Sequence, residues 1–290
     1  KIQIVSGIMI TASHNPREYN GIKFIQEDGR EFTRKMDEES EELFKNKKYI
    51  VAPWNEVGQL FEDNCYRLYI DGIKEKVDVE AIQKRNFKVV VDPNGGATAT
   101  VIRDILKRLN VKTIEKNMEL GVFNRLIEPN EKSLAYLAYY VEDLNADIGA
   151  GWDCDGDRVE LVIPNNSRFS RERGRMLSGN HILALLVEAV LSEYEGDNKV
   201  VVVNDATSDL IREIASKYGA DTVEVEVGEI NVVEKMEELN APVGGEGSSS
   251  GGIFPPSKCR DGILTLVMIL HLMAKRNKKI TCLLYTSDAA

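Results

Sequence analysis

The chain has 290 residues, 43% of them hydrophobic and 29% charged, which is ordinary soluble composition with material for two or three domains. A formal charge of −10 argues against broad electrostatic capture of nucleic acid or of an anionic membrane surface. The longest apolar run, residues 263–272, is interrupted by Thr265 and His271 and is too short to span a bilayer. Cys65, Cys154, Cys259 and Cys282 form no C-x-x-C pair and no zinc-like cluster with the three histidines, which points to a reducing cytoplasm.

In chain order, Gly7, Ile8, Met9 and Ile10 read as a buried strand cut off by turn residues. The small residues Thr11, Ala12 and Ser13 follow, with Pro16 and Gly21 stiffening and bending the loop. Ser13 is thereby presented at a strand end, where α/β proteins place reacting groups. KVVVD at 88–92 is a strand, followed by a helix with Val101, Ile102, Ile105, Leu106 and Leu109 on one face. The spacing predicts another helix over 131–144, then strands at 146–151 and 159–163. After a polar stretch the rhythm resumes: a helix at 178–194, a strand at 199–203, a helix carrying Leu210, Ile211, Ile214, Ala215 and Tyr218, and an alternating strand at 222–227. A last helix near 262–275 is apolar on most faces and reads as buried. This alternation predicts an α/β fold of tandem three-layer α/β/α domains with mixed, mostly parallel sheets, breaking near 70 and 166 into domains 1–70, 71–165 and 166–290. Lys1 starts almost at once in a strand, and TCLLYTSDAA at 281–290 carries no periodic face. The chain therefore reads as a fragment of a longer protein, with its last ten or so residues outside the fold.

Two loops carry chemistry. In GWDCDGDR (151–158), Asp153, Asp155 and Asp157 alternate, and Gly156 lets the loop turn so that the carboxylates converge. Three hard oxygen donors favour Mg²⁺ over zinc. An EF-hand needs glycine at its sixth position and glutamate at its twelfth, where this chain has Arg158 and Pro164. A solvated acidic turn is the plainer alternative. Cys154 reads as a small filler, and Arg158 as a fork for phosphate or as a structural ion-pair partner. In GGEGSSSGG (244–252), Glu246, Ser248 and Ser250 offer an acceptor and two hydroxyls for a sugar, while the same composition suits a flexible linker. Gly228 stands at a strand end upstream, and Asp261 before Gly262 suits a helix N-cap.

The sequence disfavours a hydrolase pair of Ser13 with His14, because adjacent residues usually point apart and no G-x-S-x-G surrounds the serine. His181 and His271 fall within helical patterns and read as packing or surface residues. A Ser13 carrying a phosphoryl group needs a metal and cations to offset its charge, and the aspartate loop with Arg158 supplies both.

TASHNP with YNGIKF, DCDGDR, GGEGSSSGG and RDGI occur in the order and at the spacing of the α-D-phosphohexomutases. That family includes phosphomannomutase, phosphoglucomutase and phosphoglucosamine mutase, and the chain resembles it over roughly residues 5–275. The resemblance implies the later part of a first domain, a complete second domain and most of a third, without the fourth. It implies a hexose phosphate substrate, a hexose bisphosphate intermediate, Ser13 as the phosphoserine, and Mg²⁺ held by Asp153, Asp155, Asp157 and a Ser13 phosphate oxygen. It further implies an acid–base role for Lys23, active-site contacts for His14 and Arg158, and sugar contacts from Glu246 with the serines after it. The loop departs from the family's GE-x-SG-H or GEG-NGG, so Ser248 and Ser250 compete for one role, and a chain without the fourth domain is expected to turn over poorly. Two other readings stand beside this one: a haloacid-dehalogenase-like phosphatase with Asp153 as nucleophile, and a non-catalytic sugar-phosphate-binding protein.

Overall fold

The computed structural model describes residues 4–164 and 176–287, so the expected break near 166 lies outside the described residues. The chain opens with an antiparallel ribbon, β1 (Ser6–Ile10) and β2 (Ile22–Gln26), in which Ile10 faces Ile22 and Met9 faces Lys23. Helix α1 (Arg34–Lys45) follows, its first turn capped by the Thr33 hydroxyl. No described residue before Ile70 is buried, so the strand expected to be buried at residues 7–10 is instead open, with Ile8 and Ile10 exposed. Its apolar residues have no second layer among the described residues.

Next come α2 (Tyr66–Glu75), α3 (Val79–Arg85) and β3 (Lys88–Asp92). They lead to α4 (Ile102–Arg108), β4 (Lys112–Glu115), α5 (Glu131–Asp143), β5 (Ile148–Trp152) and β6 (Val159–Val162). The sheet order is β4-β3-β5-β6, with β3 parallel to both neighbours and β6 antiparallel to β5. Because β3 is central, Val89, Val90 and Val91 are buried on both faces, as a continuous β-branched run requires.

A second sheet is built from α6 (Gly179–Leu191), β7 (Val200–Asn204), α7 (Leu210–Lys217), β8 (Asp221–Val225), α8 (Glu229–Leu239) and β9 (Val243–Glu246). It is completed by β10 (Ser249–Ile253), β11 (Arg260–Asp261) and α9 (Gly262–Arg276), in the strand order β11-β10-β9-β7-β8. Every residue from Gly262 to Met273 is buried, because α9 packs against α3, α6, β6 and β10 at once. Each large apolar side chain there contributes about 1.5–3 kcal/mol, so one helix welds the two sheets into a continuous core.

Two expectations change. The glycine and serine stretch is no linker: β9 and β10 form a hairpin through it. The stretch after α9 is not outside the fold, since α10 (Ile280–Ser287) buries Ile280, Leu283 and Leu284, an i, i+3, i+4 face short enough to escape a periodicity reading.

Candidate active site

Strand β5 ends at Trp152 and delivers the acidic loop at the carboxyl edge of its sheet. Asp153 is fully buried, and its Oδ1 accepts from the backbone N–H of Gly156 at 3.1 Å and of Arg158 at 3.3 Å, which folds the loop back on itself. Gly156 has φ +82°, and any Cβ there would collide with the Thr98 hydroxyl. The backbone N–H of Ala97 bonds the Cys154 carbonyl at 2.7 Å, and that of Gly262 bonds the Gly156 carbonyl at 3.2 Å, so both domains grip the loop.

The result is three carboxylate oxygens, one each from Asp153, Asp155 and Asp157, all within 4.8 Å of one another. At an effective dielectric of ~20, two unit charges at that spacing repel by about 3 kcal/mol. The Asp153 carboxyl is accordingly pushed up to about 8 by burial and by the charges of Asp157 and Asp155. Burial acts the same way on Asp157, but Arg260, the bond to Asp153, Lys23 and Arg158 outweigh it and hold that carboxyl low. Asp155 Oδ1 and Asp157 Oδ1 are buried without a hydrogen-bond partner. Crowded, all-oxygen and partly unpaired, this donor set fits a hard divalent cation and does not fit a solvated turn. Asp153 is also badly placed as a phosphatase nucleophile, being wholly buried and holding the loop together.

The loop between β1 and β2 comes to this triad from the far end of the chain. Thr11 Oγ1 donates to Asp155 Oδ2 at 3.1 Å and accepts from the Ser13 N–H at 2.8 Å. Ser13 Oγ lies 3.4 Å from Asp153 Oδ2 and 3.3 Å from His14 Nδ1. Ser13 has φ 50°, a left-handed conformation that is costly for a serine and is found where surroundings impose it. His14 is lowered by burial and then by Arg158, which keeps its ring neutral near pH 7. Arg158 Nε is buried without a hydrogen-bond partner, and although its charge helps to hold Asp157 low, it forms no close ion pair among the described residues. Lys23 Nζ pairs with Glu31 at 2.8 Å, and despite burial that carboxylate, with Asp155 and Asp157, raises the lysine and keeps it charged. A cavity of ≈ 430 Å³ takes in Lys23, Glu31, Asp155, Asp157 and Arg260, and another of ≈ 400 Å³ lies against Ser13, Asn15 and Arg17.

The β9–β10 hairpin supplies the remaining candidates. Glu246 Oε1 accepts from Asn204 Nδ2 at 2.8 Å and from the Gly228 N–H at 3.0 Å, while Oε2 lies 3.5 Å from Arg260. Gly228 therefore holds Glu246 and is itself occupied. Ser249 pairs with Glu246, but Gly252 pairs with Gly245, so Ser250 and Gly251 form a bulge in which Gly251 has φ 148°. The two serines are thus separated: Ser248 is exposed at the turn, whereas Ser250 is buried and donates to Glu160 Oε1 at 2.5 Å. The Ser250 hydroxyl is thus engaged within the protein, whereas Ser248 is open to solvent.

Arg260 was not among the expected site residues, although it stands in the RDGI string. Its side chain is 7% exposed and reaches Asp157 at 2.9 Å, Glu229 at 2.7 Å and Glu246 at 3.5 Å. Asp261 caps α9 as expected, accepting from the Leu264 N–H at 2.8 Å, and it also receives the Tyr69 hydroxyl. His181 and His271 stay outside the site, the first bonded to Ser178 and the second to Glu193 and to the Asp78 N–H.

Three consecutive descriptions of one family match this architecture: "Phosphoglucomutase/phosphomannomutase, alpha/beta/alpha domain I" over residues 1–50, domain II over 67–166 and domain III over 178–287. The chain belongs to the phosphoglucomutase/phosphomannomutase family. It is 38% identical over 278 residues to the phosphoglucomutase/phosphomannomutase of Thermococcus kodakarensis, covering 95% of this chain and 59% of that relative. The family fold is shared with a solved phosphoglucomutase/phosphomannomutase family protein of Burkholderia thailandensis at a TM-score of 0.80 and 20% identity, over 97% of this chain and 58% of that one. An Aspergillus fumigatus N-acetylphosphoglucosamine mutase, solved with GlcNAc-6P and magnesium, matches at a TM-score of 0.69 and 14% identity, over 98% of this chain and 73% of its own. Membership accounts for the wide separation of Ser13 and Asp153 in sequence: the serine loop and the aspartate loop belong to different domains of one family architecture. Among the described residues, no helix is long and apolar enough to cross a membrane.

Proposed function

We propose that the chain carries the catalytic centre of a phosphohexomutase, an intramolecular phosphotransferase that interconverts hexose 1-phosphate and hexose 6-phosphate through a phosphoserine at Ser13. The carrying observation is Ser13 Oγ at 3.4 Å from Asp153 Oδ2, on a strained loop, with neutral His14 adjoining and an unpaired Arg158 nitrogen nearby. Such an array neutralises and orients a phosphoryl group, which is most of what phosphoryl transfer asks of a protein.

In the first half-reaction the Oγ–P bond of phosphorylated Ser13 breaks as a hydroxyl oxygen of the hexose monophosphate bonds to phosphorus; that hydroxyl gives up its proton and Ser13 Oγ gains one. The bisphosphorylated sugar reorients. Ser13 Oγ then gives up its proton as it bonds the phosphorus of the other phosphoryl group, the bond from that phosphorus to the sugar oxygen breaks, and the sugar oxygen takes up a proton. Lys23, kept protonated beside Glu31, serves as a cation and proton donor in this arrangement. Arg158 and His14 hold phosphoryl oxygens, and Glu246 with Ser248 faces the sugar hydroxyls. Asp153, Asp155, Asp157 and a Ser13 phosphate oxygen would hold Mg²⁺, which when bound supplies charge neutralisation at the phosphoryl group. A cytoplasmic location accords with the free cysteines.

The test is incubation of the chain with a hexose 1,6-bisphosphate carrying labelled phosphate, followed by peptide mapping. Label on the peptide containing Ser13, absent in Ser13→Ala, is the expected result. Label on Asp153 would favour the phosphatase reading instead. Binding of the bisphosphate with no transfer of label would leave a sugar-phosphate-binding protein.

A further inference from the structure

Arg125 touches none of the residues assigned above, yet it holds the strand end from which the aspartate loop starts. Its side chain is 5% exposed, and Nε donates at 2.7 Å to Asp92 Oδ2, whose own side chain is fully buried. Nη2 donates to the Trp152 carbonyl at 2.6 Å and to the Asp92 carbonyl at 3.2 Å, while Nη1 reaches the carbonyls of Leu126 and Ile127 at 2.9 and 3.3 Å. One planar fork thus pins the carboxyl ends of β3 and β5 and its own loop. Asp92 is in turn fixed by the Asn94 N–H at 2.9 Å, by Asn117 Nδ2 at 3.0 Å and by the Tyr136 hydroxyl.

Trp152 immediately precedes Asp153, so the peptide whose oxygen Arg125 holds sets the direction in which the first aspartate leaves the strand. A second connection runs alongside. The Asn124 and Arg125 N–H groups bond Asn94 Oδ1 at 3.0 and 3.2 Å; the 93–97 segment beyond Asn94 then grips the Cys154 carbonyl through the Ala97 N–H. Gly96 lies so close to Cys154 that a Cβ there would strike its backbone. The loop carrying Arg125, the 93–97 segment and the aspartate loop are stacked in that order, and Phe123, Gly95, Gly96 and Cys154 share the cavity beside Ser13.

We propose that Arg125 is a positioning residue for the aspartate loop, setting its affinity for a divalent cation without touching one. The proposal rests on the metal assignment of Asp153, Asp155 and Asp157. Groups that orient ligands from behind typically change metal affinity by about 10–100-fold when removed. Lysine cannot substitute fully, since one ammonium does not span Asp92 Oδ2, the Trp152 carbonyl and the Leu126 carbonyl together.

The experiment uses the whole chain and the variants Arg125→Gln and Arg125→Lys. Mg²⁺ binding is measured by calorimetry, and amide hydrogen exchange of residues 153–158 is measured without metal. We expect Mg²⁺ to bind about tenfold more weakly to Arg125→Gln, with Arg125→Lys between it and the parent. Exchange should accelerate over 153–158 while β7 keeps its protection. Folded variants with parental affinity and parental exchange overturn the proposal. If Arg125→Gln does not fold, Arg125→Lys decides by the same two readings. A parent chain that binds no Mg²⁺ sinks the metal assignment, and the exchange comparison then decides alone whether Arg125 orders the loop.

Discussion

Arg260 Nη2 stands 2.9 Å from Asp157 Oδ2, and the same guanidinium reaches Glu246 on the β9–β10 hairpin. One buried cation therefore joins the aspartate loop of the second domain to the hairpin of the third. It also explains why Asp157 is held low while Asp153 is pushed up, although the two carboxylates share one loop.

Removing that cation strands three carboxylates. Arg260→Met leaves Asp157, Glu229 and Glu246 without their shared partner, and breaking a buried ion pair from one side costs about 3–5 kcal/mol. For a chain of this size each kcal/mol lowers the melting temperature by roughly 2–4 °C. A thermal melt of Arg260→Met should fall by roughly 6–20 °C, with Arg260→Lys closer to the parent. An unchanged melt would mean that the three acids find other partners.

Mg²⁺ is expected to stabilise the chain. A cation binding only the folded state adds about 2.7 kcal/mol at a hundredfold excess over its dissociation constant. Melting in Mg²⁺ against chelator should differ by several degrees in the parent and by nothing measurable in Asp155→Asn. Equal shifts in both proteins would move the metal away from this triad.

Gly156→Ala tests the turn. The new Cβ meets both a left-handed backbone and the Thr98 hydroxyl, strain worth about 1–3 kcal/mol. Lower stability and lost Mg²⁺ binding are expected together. Retention of both would show that the loop has another way to turn.

The serine hairpin makes opposite demands on its two hydroxyls. Ser250→Ala removes one hydrogen bond, from a buried hydroxyl to the charged Glu160 carboxylate, a loss of about 1–3 kcal/mol in a urea titration. Ser248→Ala sits on the exposed turn and should leave stability within about 0.5 kcal/mol while weakening hexose phosphate binding. Reversed outcomes would swap the roles given to these residues.

Much of this was legible in the residues. The β-branched runs at 88–92 and 199–203 are central strands because such runs suit a sheet buried on both faces. The apolar helix at 262 onward is buried because it serves two sheets. Convergence of three aspartates followed from their alternation around a glycine. Helix α8 was hidden because VEVGEINVV reads as one strand-like run until Gly228 breaks it, and β4 because four edge residues carry little pattern. Arg260 and Arg125 were harder. A lone arginine has no periodicity, and its importance lies in carboxylates and carbonyls brought to it from distant parts of the chain. Even the bulge that parts Ser248 from Ser250 depends on pairing with β9 and not on the serine run itself.

The ribbon bearing Ser13 has no core of its own, as no described residue before Ile70 is buried. Apart from the short contacts of Thr11 and Ser13, it is moored to the third domain by a small cluster of charges, Asp28 and Arg30 against Glu237 and Lys258. Such half-exposed pairs fade as ionic strength rises. The Ser13 loop is thus berthed electrostatically on a rigid two-sheet body, and concentrated salt should cast it off, seen as faster amide exchange at residues 11–26, long before that body melts.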